Sequence, residues 1–239
     1  MHSLGHTRSA RRDDHVVHTP DTFVRASWPG MINAVAIVHA SPALGAAFTQ
    51  YTAELAADGY VPATPVQRFV YVLSGEVQVA GASLVRGGFA YVPSGDAGAL
   101  HAHAGARVAV IEKPYVALPG AAPPTMFTGA EADQPAQALM GDPDLEVRAL
   151  VPADTAFDFA VNTMAYRPGA ALPMVEVHVM EHGLLFLEGG GIYRLGDAWY
   201  PVTEGDFIYM APWCPQWFGA LGKVPAKYLI YKDWNRAAS

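Results

Sequence analysis

Short runs in which apolar and polar residues alternate, cut by glycine and proline, make up most of this chain. The runs are rich in Val, Tyr, Phe and Ile, and alternation of this kind marks strands with one buried face. In the first half they predict strands at 35–39, 47–55, 67–73, 76–79, 82–85, 88–92 and 107–112. In the second half they predict strands at 157–166, 174–179, 183–187, 191–195, 198–201, 206–210 and 227–231. The 23 glycines and 19 prolines are spread between the runs rather than clustered, as an all-β protein with many turns requires. Long helical periodicity is missing almost everywhere.

The two halves repeat each other. Phe69-Val-Tyr-Val-Leu-Ser-Gly75 is matched by Leu184-Leu-Phe-Leu-Glu-Gly189, and Val85-Arg-Gly-Gly-Phe-Ala-Tyr-Val-Pro93 by the stretch from Val202 to Pro212. Both pairs run from an apolar strand through a glycine turn to a Gly-to-Pro strand, about 115–120 residues apart. One module of about 100 residues used twice fits a double-stranded β-barrel of the jelly-roll type. Between the copies lie Pro114, Pro119, Pro123, Pro124 and Pro135, a density that resists a sheet interior. The expected division is therefore a mobile N-terminal tail over 1–20, a barrel over 21–113, a proline-rich linker over 114–142 and a second barrel over 143–239.

Composition narrows the partners. Hydrophobic residues make up 51% and charged residues 15%, which suits a globule with much buried or interface surface. The formal charge is −7 and the 15 Lys and Arg form no basic stripe, so no nucleic-acid partner is expected. The single cysteine excludes an internal disulfide. No apolar run approaches a membrane span, and the first residues carry no signal-peptide core, so the expectation is a soluble, cytoplasmic protein without a membrane partner. His2, His6, His15 and His18 are read as belonging to a polar terminus rather than to a metal-binding tail.

Candidate chemistry concentrates in the second half. Glu176 and His178 are two residues apart, so on a strand both side chains leave one face. His182 follows after room for a reversal, and Gln216 sits just past a Gly-to-Pro strand, where a loop can return it to the same mouth. One carboxylate, two imidazoles and one amide oxygen make an open, catalytic type of metal site, compatible with Mn, Fe, Ni or Zn. The competing reading is four buried polar residues satisfied by backbone. In the first half the equivalent positions read Pro62, Thr64, Arg68 and Gly98, and Arg68 repels a cation, so no metal is expected there. His101 and His103 form an H-x-H without a carboxylate, the pattern of solvated loop histidines. Cys214 has no histidine paired with it by motif, which argues against a nucleophile. Trp213 and Trp217 are expected to cap the barrel mouth.

These residues resemble a bicupin, two tandem cupin barrels, with altered ligand identities: Glu176 at the first histidine position, His178 at the second, His182 at the glutamate position and Gln216 near the last histidine. The permuted set E-x-H-x3-H with a later Gln is similar to that of the (S)-ureidoglycine aminohydrolases. Arg68-Phe-Val-Tyr-Val-Leu-Ser-Gly75-Glu and the closing Tyr228-Leu-Ile-Tyr231-Lys232-Asp233 also resemble that family. The resemblance covers nearly the whole chain from about His15. It implies a manganese-dependent hydrolase that converts (S)-ureidoglycine to (S)-ureidoglycolate and ammonia in purine (allantoin) degradation. It also implies a small anionic ureido-substrate, homo-oligomeric assembly, and substrate-binding or catalytic roles for Lys232, Tyr228 and Tyr193. Ordinary barrel-lining aromatics and an exposed terminal lysine are the alternatives for those three. At the level of function, the alternatives are another metal-dependent bicupin enzyme, an isomerase or dioxygenase on a small carboxylate, and a non-catalytic bicupin that binds a small ligand.

Overall fold

Successive side chains of a strand point to opposite faces, and in this protein the central strands of the two large sheets are buried on both. The computed structural model describes residues 6–95 and 98–236, so His2 lies outside the described residues. Among those residues the only helical elements are three 3-10 turns, at Pro20–Thr22, Pro42–Leu44 and Glu131–Asp133. No helix is long and apolar enough to cross a membrane.

A ten-stranded sheet carries the first half, with Gly88–Val92, Gln67–Ser74, Ala106–Lys113 and Thr49–Val61 as consecutive neighbours. An eight-stranded sheet carries the second half, with Phe207–Met210, His182–Glu188, Ala226–Asp233 and Phe159–Tyr166 as consecutive neighbours. A three-stranded sheet of Ala198–Thr203, Gly190–Leu195 and Gln216–Ala220 closes the second barrel. Every paired strand is antiparallel to its neighbour.

Strand parity sorts the core into three. Val70, Val72, Val108, Val110, Ala90 and Val92 fill the first barrel. Leu184, Phe186, Tyr228, Ile230, Met164 and Tyr166 fill the second. The intervening residues, among them Phe69, Tyr71, Phe89, Phe159, Leu185, Phe207 and Tyr231, form a third core between the sheets. The central strands of each large sheet are therefore covered on both faces and read as nearly continuous apolar runs.

Three expectations need correction. The 1–20 segment is not a free tail throughout: Ala10–Arg11 and His15–His18 are strands, and His15–His18 pairs with Phe207–Met210 at the edge of the second half's sheet. Val17 is buried there, against the second barrel's core. The segment reads as polar because its burial comes from a distant strand. The 114–142 linker likewise contains strand Phe127–Ala130, an edge strand on Gly88–Val92, which fits between Pro124 and Pro135. Strand Gln137–Leu139 pairs within the second half. Finally, 174–179 is not a strand. Only Glu176 finds a partner, in a single bridge to Gln216, and Gln216 itself opens a strand rather than lying in a loop.

Candidate metal centre

The Glu176–Gln216 bridge is what assembles the site. Glu176 N donates to Gln216 O at 2.8 Å and Gln216 N to Glu176 O at 2.9 Å. Side chains of an antiparallel pair stand side by side, so the bridge puts the first and last of the four candidate ligands together although 40 residues separate them. His178 Nε2 lies 3.2 Å from Glu176 Oε2, and the His178 and His182 rings are 5.3 Å apart between centroids. Trp213 N donates to His178 O at 2.6 Å, tying the Gln216 loop to the histidine arm. Glu181 N donates to Asp233 Oδ1 at 2.7 Å, which fixes the turn into His182.

His182 and Lys232 are directly opposed across neighbouring strands. Both belong to the even-numbered faces that line the second barrel, the faces that also carry Leu184 and Tyr228. Burial, then the Lys232 ammonium and His178, push the His182 imidazole down to about 3. It is neutral at neutral pH and keeps a lone pair. Burial also lowers the Lys232 ammonium, and the Glu176 carboxylate pulls it back up. Lys232 Nζ sits 5.4 Å from the Trp234 ring centroid. His178 and Glu176 keep side-chain exposures of 31% and 17%, so the set opens to solvent on one side.

Gln216 is buried, and its Oε1 accepts from the Tyr193 hydroxyl at 3.3 Å. The Tyr228 hydroxyl meets the Tyr166 hydroxyl at 2.7 Å. Burial raises all three tyrosines well above their ordinary value, so they are hydroxyl donors and not phenolates. Tyr166, the partner of the candidate Tyr228, is a residue that sequence reasoning missed. Its place follows from the register of strand Phe159–Tyr166 against Ala226–Asp233, which no local pattern reports.

The donor set fits a divalent cation on its chemistry: one carboxylate, a neutral buried imidazole, a second imidazole and an amide oxygen held by Tyr193. The remaining candidates lie elsewhere. His101 and His103 are exposed, and the His101 ring packs on Tyr60. Trp213 is 64% exposed, whereas Trp217 is half-buried with its Nε1 on Leu172 O at 2.7 Å. Burial and Asp14 push the Cys214 thiol up to about 12, which removes the nucleophile reading. In the first barrel, Arg68 and Glu112 occupy the cross-strand position that His182 and Lys232 occupy in the second. The Arg68 guanidinium donates to Glu112 at 2.7 Å and to the Pro62 and Gly98 carbonyls.

Comparison with known proteins identifies the family. Residues 162–231 match the Cupin domain model. Over 97% of its length the chain is 39% identical to the (S)-ureidoglycine aminohydrolase of Arabidopsis thaliana, of which it covers 80%. The chain belongs to the (S)-ureidoglycine aminohydrolase family. It is also 30% identical to the (S)-ureidoglycine aminohydrolase of Escherichia coli K12, over 91% of this chain and 87% of that protein. The crystal structure of protein Ylba from E. coli superposes with a TM-score of 0.86 at 27% identity, covering 98% of this chain and 96% of that one. The two-barrel architecture is thus shared with that structure.

Proposed function

We propose that the chain hydrolyses (S)-ureidoglycine to (S)-ureidoglycolate and ammonia in purine degradation, using a metal held by Glu176, His178, His182 and Gln216. The observation that supports this reading is the Glu176–Gln216 bridge, because it brings the first and last of the four candidate donors side by side, with His178 beside Glu176 and Lys232 opposite His182. Membership of the (S)-ureidoglycine aminohydrolase family supplies the substrate. A divalent metal in this site, manganese in the proposal, supplies Lewis-acid polarisation and a more acidic water.

The chain's own groups orient the reaction. The Lys232 ammonium is the counter-charge for the substrate carboxylate, in surroundings dry enough to strengthen that pairing. Tyr193 donates to the Gln216 amide oxygen and so restrains the side chain that would ligate the metal. The Tyr166–Tyr228 pair offers a hydroxyl to the ureido group. Overall, the substrate's C–N bond to its amino group breaks, a C–O bond to water forms, and the amino group leaves as ammonia. In the same reading the first barrel takes no metal, since Arg68 already supplies a fixed cation there. The enzyme works in the cytoplasm as a homo-oligomer; the exposed Val175, Val177 and Val179 support a contact between copies.

The test is turnover of freshly generated (S)-ureidoglycine by metal-stripped protein, with and without added Mn2+, following ammonia and the handedness of the product. The expected result is Mn2+-dependent, purely (S) product. Glu176→Gln should lose metal affinity by about 10–100-fold. Lys232→Met should keep the metal but lose at least about 100-fold in kcat/KM, as removal of one member of a buried charge pairing does. No rate above background with metal demonstrably bound would sink the proposal.

A further inference from the structure

Residues distant in the chain meet beside loop 211–215, which leads into Gln216. Asp14, His15 and Cys214 bring a carboxylate oxygen, an imidazole nitrogen and a sulfur within 4.8 Å of one another. Backbone pairing fixes the meeting: His15 is in register with Met210, Ala211 N donates to Asp14 O at 2.9 Å, and Cys214 N donates to Ala211 O at 3.2 Å. His15 and Cys214 are each 3% exposed, while the Asp14 side chain keeps 43% exposure and opens the cluster to solvent. The imidazole is held on both sides, with Nδ1 2.7 Å from Asp14 Oδ1 and Nε2 2.8 Å from the Tyr200 hydroxyl.

We propose that Asp14, His15 and Cys214 form a second metal site, suited to a borderline-soft divalent ion of the zinc type. On metal binding Nδ1, 2.7 Å from Asp14 Oδ1, would give its lone pair to the ion while Nε2–H donates to the Tyr200 hydroxyl; an outer partner of this kind fixes the tautomer and ring orientation of metal-binding histidines. On binding, the thiol gives its proton to solvent through the open Asp14 side. The thiolate and carboxylate then neutralise the divalent charge, and a water completes four ligands. Sulfur sets the site apart from the Glu176 centre, whose oxygen and nitrogen donors suit harder ions. None of the three residues belongs to the proposed catalytic set, so the ion acts as a clamp. It fastens the N-terminal strand to loop 211–215, which holds Gln216 at one end and contacts His178 O through Trp213 N.

Cys214 is the chain's only cysteine, so thiolate-to-metal charge-transfer absorption reports on this site alone. The experiment titrates the full-length protein, its other site saturated with Mn2+, with Cd2+ and with Co2+. The expected result is a charge-transfer band that saturates at one equivalent and disappears in Cys214→Ser. Its apparent affinity should fall at least about tenfold in Asp14→Asn and in His15→Gln. Asp14 is partly exposed, so its variant reports even where loss of His15 disturbs folding. Two results would overturn the proposal: no band at a hundredfold excess of metal, or a band whose affinity is unchanged in Asp14→Asn, which would mean the thiol captures the ion without its neighbours. The readout does not depend on the hydrolase activity.

Discussion

At the scale of single residues, His39 is a buried imidazole with no carboxylate to support a charge. Its Nε2 lies 2.9 Å from the Thr52 hydroxyl, its ring stacks on Phe207 at 4.9 Å, and its Nδ1 is 3.4 Å from His18 Nδ1. Burial first, then His18 and Arg107, push it down to about 3. In the unfolded chain it titrates near ~6.5. Between those values only the unfolded state takes up the proton, so stability falls as pH drops through that window, by about 1.4 kcal/mol per pH unit at full slope. His39→Gln, which can still hydrogen-bond Thr52, should lose this component. Measured by urea unfolding, the stability difference between wild type and variant should shrink from pH 7 to pH 4. A difference that stays constant with pH would refute the assignment. The residues legible in the sequence share a property: Glu176, His178 and His182 announce themselves by local spacing. Tyr166, Asp14 and the His15–Cys214 meeting owe their place to pairings between distant strands, and neighbouring sequence carries no trace of those.

At the scale of elements, the internal repeat explains which strands could be read and which could not. Strands such as Glu76–Val79, Ala82–Val85 and Gly88–Val92 carry their own alternation and turn residues, and their observed bounds coincide with the expected ones. Strands Ala10–Arg11, Phe127–Ala130 and Gln137–Leu139 are short, carry no buried residue and are defined only by the strand they pair with, so composition disguised them as tail and linker. The repeat also conserves a turn. Gly75 and Gly189 both adopt a left-handed conformation, at φ of 76° and 61°, and a Cβ at either would strike a backbone carbonyl, that of Gly105 or of Pro225. Gly189→Ala should therefore cost more than about 2 kcal/mol, combining left-handed strain with displacement of main chain. Gly169, at φ 85° with nothing near its missing Cβ, is the control, and Gly169→Ala should cost only about 1–2 kcal/mol. Equal losses in the two variants, read from denaturant midpoints, would show that the contact with Pro225 contributes nothing.

At the scale of the whole molecule, the aromatic core between the sheets makes the two barrels one folding unit. Phe48 packs on Tyr231 at 4.0 Å between centroids, and Tyr91 packs edge-on to Phe157 at 5.1 Å, each pair crossing from one half to the other. A buried polar cluster spans the same boundary. Asp158, from the second half, receives Lys113 Nζ at 2.8 Å, Gln67 Nε2 at 2.7 Å and Val116 N at 2.9 Å, all from residues before the second barrel. Both charged partners are nearly inaccessible, at 0% and 7% side-chain exposure. Such a pair has already given up its hydration, so its net contribution against an apolar pair is small, yet removing one partner strands the other. Asp158→Ala should cost about 3–5 kcal/mol, and Lys113→Met combined with Asp158→Ala should cost less than the single change, because no buried charge is left alone. Wild type should unfold in one transition by far-UV and near-UV signals together, since neither barrel can keep its inner sheet face covered without the other. Two separated transitions in wild type would contradict the single-unit account. A double variant less stable than Asp158→Ala would contradict the stranded-charge account and assign the loss to packing around the Lys113 stem instead.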